Sequence, residues 1–272
     1  METLSLPLIL FTLLTQAAVG VAVLAAVRQW QTADGPQRPT AEWGTIAGLL
    51  IAGVLASFFH LGHPELVWRI LTNVGSAWLS REILAFIVFG ALVALALWSA
   101  LRGPVSGWLL KSVAVVGVVA LAMMGMTYAP AGQPAVNNIW PFVFFMLTAA
   151  TAGSAVASFF TPAKHQGLLT WVFSTSALIS LVIYLGNVGS SLRKDYSAIG
   201  DAVVAATGRA FLSSPLYWLY IVIGLVVPLI AVARTRRIPG WLPVLVIFGE
   251  FFGRAAFFML MLTSGSHIGN LY

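Results

Sequence analysis

Hydrophobic residues fall into eight long runs, and short stretches between them carry most of the charged and polar residues. A helix needs about 20 mostly apolar residues to cross the hydrocarbon core of a bilayer, and each run approaches that length. We therefore predict eight membrane-spanning helices. They lie at roughly Leu6–Val27, Trp43–Leu61, Ile83–Leu101, Trp108–Tyr128, Pro141–Phe160, Leu168–Asn187, Leu216–Ala233 and Trp241–Thr263. Only two connections are long, Gly62–Ser80 and Val188–Pro215.

Composition supports this pattern, because 60% of the 272 residues are hydrophobic and 8% are charged, against about 25% charged in a soluble domain. The tryptophans lie in connections or near span ends, where amphipathic rings meet the lipid headgroups. The start of the sequence has no basic segment before its first apolar run, so we expect an uncleaved first span. The sequence predicts an all-α, multi-pass protein with a single transmembrane domain over residues 1–272.

The basic residues give an orientation. The first, third, fifth and seventh connections carry eight lysines and arginines, and the connections on the other side carry five. Cytoplasmic connections are enriched in these residues. We therefore expect the odd-numbered connections in the cytoplasm and both termini on the outer, periplasmic side of the inner membrane. The net charge of +6 is scattered over short connections, which does not favour a nucleic-acid partner.

Small residues indicate where helices pack closely, because short side chains let backbones approach in lipid. They occur at Gly44-x-x-x-Gly48, along Thr148–Ser158 and at Gly249-x-x-x-Gly253.

One candidate for chemistry is the pair Glu250 and Arg254 inside the eighth span. Ionisable residues within a span are costly and need a reason. Lying four residues apart, the two fall on one helical face and can pair. Two interpretations stay open: an ion pair that fixes helix packing, or a polar wall of a quinone pocket or proton path.

The second candidate combines His60 at the end of the second span with Glu82 at the start of the third. Taken singly, His60 suits an interfacial histidine, and Glu82 suits a first-turn carboxylate that complements the helix dipole behind Ser80 as N-cap. Taken together on adjacent helices at one depth, they could hydrogen-bond a quinol and accept its two protons.

Three separated blocks of the sequence resemble the DmsC family, the membrane anchor subunits of dimethyl sulfoxide reductase. They are the stretch Phe59–Pro64, the stretch Asn73–Ile83 with its Ser80-Arg81-Glu82, and Gly249-Glu250-Phe251-Phe252-Gly253-Arg254. The Pro7–Thr12 opening and Ile139-Trp140-Pro141 are similar as well. The resemblance in length and span number extends over essentially the whole sequence.

The resemblance implies an anchor that holds a molybdopterin catalytic subunit and a four-cluster iron–sulfur subunit, contains no haem, and oxidises menaquinol in anaerobic respiration. It assigns His60 and Glu82 to catalysis, and these two with Arg81, Glu250 and Arg254 to quinol binding. Molybdopterin and the clusters would belong to the partners. The sequence has no cysteine, so it cannot supply thiolate ligands to a cluster, and no metal site is expected.

Other functions stay open from the sequence. They are a transporter or channel that uses Glu250 and Arg254, a passive anchor without quinone chemistry, a haem protein with ligands among His60, His63 and His267, and a quinone-reducing anchor of a dehydrogenase. The sequence does not fix the terminal substrate or the direction of electron flow.

Overall fold

The computed structural model describes residues 6–31, 39–59, 72–162, 166–192 and 199–260. These residues form helices and no strands, which confirms the predicted all-α class. Eight helices among them are long and apolar enough to span a membrane, as predicted. Seven spans contain the helices α1 (Leu6–Gln31), α2 (Pro39–Phe58), α3 (Trp78–Arg102), α4 (Gly107–Thr127), α5 (Trp140–Ala157), α6 (Gly167–Ser191) and α10 (Leu242–Leu260).

The seventh span, Pro215–Thr235, is irregular. It consists of α8 (Pro215–Leu219), a π-helical segment (Tyr220–Val226) and α9 (Val227–Thr235). Pro228 follows the π-helical segment and has no N–H to donate to the carbonyl of Gly224, which explains why regular hydrogen bonding is interrupted there. π-helical segments inside α-helices often occur at functional sites.

The connection between the sixth and seventh spans contains a helix that we did not predict from the sequence, α7 (Ile199–Ser213). It has 15 residues, too few to cross a bilayer, and it packs against α6, α8 and α10. We call its side of the membrane the N-terminal face, since α1 begins there; α4 and α6 end at this face. The opposite side, where α1 ends, is called the α1-end face.

Helix α1 lies at the centre of the bundle. It packs against α2, α4, α5 and α10, and its side chains are apolar nearly all round, as expected of a buried helix. Gly20 crosses Gly153 of α5 so closely that a Cβ on Gly20 would lie 1.9 Å from the carbonyl oxygen of Ala149. The small residues predicted to let helices approach in α5 therefore do so.

The other two small-residue patterns have different outcomes. In α10 a Cβ on Gly249 would lie 2.1 Å from Cα of Gly224 in the π-helical segment, which confirms close packing there. A Cβ on Gly44 or Gly48 would meet nothing within 4 Å. For contacts within this protein the prediction at Gly44-x-x-x-Gly48 is wrong, because that face of α2 is turned away from the bundle.

Candidate functional site

Glu82 lies deeper in its helix than the sequence suggested. Helix α3 begins at Trp78, and Ala77 occupies the N-cap position without a capping bond from its side chain. The prediction of Ser80 as N-cap is therefore wrong, and Glu82 is not in the first turn. A favourable interaction with the helix dipole, which acts within that turn, does not explain the carboxylate.

The Glu82 side chain is buried, and the polar group beside it is the hydroxyl of Thr127. The residue is 1% exposed, and within the described part of the sequence neither carboxylate oxygen has a hydrogen-bond partner. Thr127 lies beside it, but the Thr127 hydroxyl donates to the carbonyl oxygen of Met123 at 3.0 Å. Burying a carboxylate in this way is strongly unfavourable unless it is protonated or meets a partner.

Arg81, the neighbour of Glu82, faces the preceding turn. Its Nε donates to the carbonyl oxygen of Val74 at 2.9 Å, and its Nη2 donates to that of Gly75 at 2.7 Å. The guanidinium also lies 4.4 Å from the ring centroid of Trp78. Arg81 thus fixes the turn that leads into α3, while Glu82 points into the bundle.

A second polar site lies halfway along α10. Glu250 and Arg254 are each 3% exposed. The hydroxyl of Thr148 in α5 donates to Oε2 of Glu250 at 2.9 Å. Arg254 Nη2 donates to that same hydroxyl oxygen at 3.2 Å and to Oε1 of Gln16 in α1 at 2.6 Å. We call these four residues the deep cluster.

The deep cluster corrects one detail of the sequence prediction. A direct ion pair of Glu250 and Arg254 was one of two interpretations left open, but the salt bridge found among the described residues joins two other side chains. The Thr148 hydroxyl instead connects the carboxylate and the guanidinium, since it donates to one and accepts from the other. The two charged residues lie together as expected, and the bridging residue comes from a different helix.

Aromatic rings surround the guanidinium of Arg254. It lies 4.3 Å from the ring centroid of Phe145 and 5.7 Å from that of Phe257. Such contacts partly replace the hydration of a buried cation. Oε1 of Glu250 and the Nε and Nη1 atoms of Arg254 have no hydrogen-bond partner within the described residues, so the site keeps polar atoms available.

Tyr128, just beyond α4, lies near Glu82 and near Arg254 of the deep cluster. The charges of Glu82 and Arg254 both act on its hydroxyl. Its ring packs edge-on against Phe145 at 5.6 Å and against Phe258 at 5.3 Å. Tyr128 is thus close enough to both Glu82 and Arg254 to feel their charges. The predicted His60, with His63 and His267, lies outside the described residues.

One buried carboxylate was missed by the sequence analysis. Glu42 was assigned to a connection, but α2 already begins at Pro39, and Glu42 is fully buried. It forms an ion pair with Arg28 of α1, and the guanidinium also donates to the hydroxyl of Thr161. An acid and a base at the two ends of the first connection, Glu42 and Arg28, were the available signal.

Metal binding has no support in the described residues. No three histidine, cysteine, aspartate or glutamate side chains lie close enough in those ranges to hold a metal ion. The four histidines of the sequence fall outside them.

Eight apolar spans around buried charged groups define a multi-pass integral membrane protein with polar sites inside its helix bundle. Residues 1–260 match the family model described as the DMSO reductase anchor subunit (DmsC). The chain belongs to this family, and is thus the membrane anchor of a DMSO reductase-like oxidoreductase complex.

Individual relatives agree with this assignment. The sequence is 28% identical to YnfH of the anaerobic dimethyl sulfoxide reductase of Escherichia coli over 96% of both proteins. It is 26% identical to the C chain of the anaerobic dimethyl sulfoxide reductase of Haemophilus influenzae over 97% of both. A shorter match, 53% identical over 45 residues, joins 16% of this protein to 14% of the C subunit of a sulfite dehydrogenase from Allochromatium vinosum.

Proposed function

We propose that this protein oxidises a quinol, specifically menaquinol, at the N-terminal face and passes the electrons to the iron–sulfur subunit of its complex. The observation that carries the proposal is the Glu82 carboxylate. It is buried within the bundle, and neither oxygen has a hydrogen-bond partner within the described residues. A quinol hydroxyl would supply the missing donor.

The chemistry requires two proton acceptors. Oxidation of a quinol to a quinone releases two electrons and two protons. Glu82 would accept a hydrogen bond from one hydroxyl and take its proton as the electrons leave. His60 follows directly after the described part of α2 and would accept the other proton, because imidazole titrates close to neutral pH. The electrons would pass to a cluster of the partner subunit, since this protein has no cysteine to hold one.

The surroundings of Glu82 suit a prenylated aromatic ring. Phe86 and Phe89 lie on the same face of α3, one and two turns further along, and their rings pack edge-on at 6.3 Å. Phe11 of α1 packs edge-on against Phe86 at 5.9 Å. Aromatic pairs of this kind provide an apolar wall of fixed geometry. Arg81 would hold the turn that precedes Glu82, and Glu250 and Arg254 would supply polar groups deeper in the bundle, near Tyr128.

Orientation follows from the distribution of basic residues. We propose that the N-terminal face is periplasmic and that the protein lies in the inner membrane, because the connections at the α1-end face carry more lysine and arginine. The four-cluster iron–sulfur subunit and the molybdopterin subunit would then dock on the periplasmic side, above Glu82.

The test compares Glu82→Gln with Glu82→Asp in the assembled complex. Glutamine keeps the size of the side chain but cannot take a proton, whereas aspartate keeps a base on a shorter side chain. We expect Glu82→Gln to lower menaquinol-dependent turnover about 100-fold or more, in the range of general-base effects, and Glu82→Asp to retain more activity. Turnover with an artificial donor that reduces the partner subunits directly should be unchanged in both.

His60→Ala should show the same selective loss. Menaquinol turnover within about threefold of the parent in Glu82→Gln, in a complex shown to be intact, would remove Glu82 from the mechanism.

A second direction of electron flow has one observation in its favour, the short match to a sulfite dehydrogenase subunit. In a quinone-reducing complex the same two groups would donate protons to the quinone. Incubating the complex with its reduced substrate and a quinone, and measuring quinol formation, separates the two directions.

The transporter interpretation would be favoured by matched interrupted spans. Among the described spans the π-helical segment occurs in the seventh, and no second interrupted span accompanies it there.

A further inference from the structure

A cavity of about 220 Å³ lies at the α1-end face, at the opposite end of α3 from the proposed quinol site. Helix α1 lines it with Ala25 and Gln29, α2 lines it with Glu42 and Trp43, and the connection between α3 and α4 lines it with Val105. These residues belong to the end of α1, the start of α2 and the approach to α4. The cavity therefore lies where several spans reach one surface of the bundle.

Two hydrogen bonds between segments hold the surroundings of this cavity in place. The side-chain amide of Gln29 donates to the carbonyl oxygen of Val105 at 3.3 Å, which ties α1 to the connection between α3 and α4. The hydroxyl of Thr40 donates to the carbonyl oxygen of Ala100 at 3.1 Å, which ties the start of α2 to the end of α3. The cavity is thus enclosed by segments that are bonded to one another.

Glu42 supplies a carboxylate to this cavity. The residue is fully buried, and Arg28 holds its Oε1. The same guanidinium also donates to the hydroxyl of Thr161 and to the carbonyl oxygen of Leu24. Oε2 of Glu42 has no hydrogen-bond partner among the described residues. Because a buried carboxylate oxygen without a donor is unfavourable, the site favours an occupant that brings an N–H or O–H group.

The N-terminus of α4 lies beside the same cavity. Val105 lines the cavity, Ser106 is the N-cap of α4, and Leu110 in the next turn lines the cavity again. Gly107 lies three residues before Leu110 and therefore on the same side of α4, and a Cβ there would meet nothing within 4 Å. The first N–H groups of a helix have no partner within the helix and attract anions. The rim of the cavity can thus accept an anionic group.

Exposed tryptophans place the cavity at the level of the lipid headgroups. Trp108, next to Gly107 at the start of α4, is 78% exposed. Trp98 near the end of α3 is exposed as well, and the guanidinium of Arg102 lies 3.9 Å from its ring centroid. Tryptophan and basic residues at span ends are typical of the interface between hydrocarbon and headgroups. An occupant of the cavity can therefore come from the leaflet itself.

We propose that this cavity binds the headgroup of phosphatidylethanolamine from the leaflet at the α1-end face. Its primary ammonium donates to Oε2 of Glu42, and its phosphate meets the N–H groups at the start of α4. The headgroup is neutral overall, so its binding adds no net charge beside the buried Arg28–Glu42 pair. Phosphatidylcholine has no N–H to donate, and phosphatidylglycerol has no cation for the carboxylate. The site is independent of quinol oxidation.

The first test measures lipid retention by the assembled complex. The delipidated complex is incubated with equal amounts of phosphatidylethanolamine, phosphatidylcholine and phosphatidylglycerol that carry identical acyl chains, and bound lipid is identified by native mass spectrometry. We expect phosphatidylethanolamine to be retained at least tenfold more than either of the other two. Equal retention of the three lipids would overturn the proposal.

Ala25→Leu locates the site. Ala25 lines the cavity, so leucine there fills the space without altering either member of the Arg28–Glu42 pair. Ala52→Leu is the matched control, because Ala52 lies on the exposed side of α2. We expect the preference for phosphatidylethanolamine to disappear in Ala25→Leu and to persist in Ala52→Leu. A preference that survives in Ala25→Leu belongs to lipid bound elsewhere and would remove this cavity from the proposal.

Glu42→Gln tests the carboxylate. Glutamine keeps the size of the side chain but loses its charge, and the ratio of retained phosphatidylethanolamine to phosphatidylcholine should fall to about threefold or less. Because this change also weakens the pair with Arg28, SDS-induced unfolding of the purified protein is compared with each lipid added. In the parent, phosphatidylethanolamine should raise the unfolding midpoint more than phosphatidylcholine, as a ligand of the folded state does. The two lipids should act equally in Glu42→Gln and in Ala25→Leu, and a specific shift that remains in both would contradict the site.

Discussion

The contact between α1 and α5 can be tested by Gly20→Ala. A Cβ at Gly20 would lie 1.9 Å from the carbonyl oxygen of Ala149 and 2.9 Å from Cα of Gly153. Both are backbone atoms of a helix, so neither can move by a change of rotamer. Ordinary contacts of a Cβ begin near 3.4 Å, and relief of the overlap therefore requires the two helices to separate by about 1.5 Å, which is the difference between these distances.

The expected magnitude follows from that separation. A gap of about 0.5–1 Å already removes a quarter to a half of the attraction of an atom pair, and overpacking a core is unfavourable by about 1–3 kcal/mol. Alanine recovers up to about 1 kcal/mol of helix propensity relative to glycine. Because backbone meets backbone at this crossing, we expect the upper end of the range and a net loss of about 2 kcal/mol in the free energy of unfolding.

The assay is SDS-induced unfolding of the purified protein in mixed micelles, followed by circular dichroism. Gly44→Ala is the matched control, because Gly44 lies in a span and its Cβ would meet nothing. That variant should change the free energy by no more than about 1 kcal/mol, toward stability. The same small change in both variants would refute the close crossing of α1 and α5.

Two further predictions concern buried polar groups, measured in the same unfolding assay. Thr148→Val removes the hydroxyl that connects Glu250 with Arg254 and should lower the free energy of unfolding by about 1.5–3 kcal/mol. The control Thr45→Val, on the lipid-facing side of α2, should change it little. Equal effects of the two variants would contradict the bridging role of Thr148. Arg28→Met should destabilise by about 3–5 kcal/mol because it leaves Glu42 buried without its partner, and adding Glu42→Leu should recover most of the loss. If the double variant recovers no stability, the Arg28–Glu42 pair does more than neutralise a buried charge.

The spans were predictable because a bilayer imposes a single strong requirement, a long apolar run, and each run carries that signal by itself. Boundaries and short elements were less predictable. Glu42 lies inside α2, where Arg28 of α1 neutralises its charge. A hydropathy pattern does not show such a contact between two helices, so the start of α2 was placed too late. Helix α7 was missed because 15 residues between two spans look the same whether they form a loop or a helix packed on the surface of the bundle.

The chemistry of the site was only partly readable for a similar reason. Glu250 and Arg254 are four residues apart, so the sequence itself brings them together. Thr148 and Gln16, which complete the deep cluster, lie more than 100 residues away in helices that approach through glycine contacts. Such partners are set by tertiary packing. From the sequence alone, a hydroxyl or amide side chain that bonds another helix cannot be distinguished from the many threonines whose hydroxyl bonds the backbone of their own helix.

The three buried glutamates among the described residues differ in one respect that bears on function. Glu42 has Arg28, and Glu250 has Thr148 with Arg254 behind it. Glu82 is as buried as they are, yet it forms no ion pair within those ranges, and the hydroxyl beside it, that of Thr127, donates to the carbonyl oxygen of Met123. A purely structural carboxylate in that position would be less favourable than an apolar side chain of the same size. The proposed quinol site would account for it, because a quinol hydroxyl arrives with its own proton and would satisfy both the hydrogen bond and the charge.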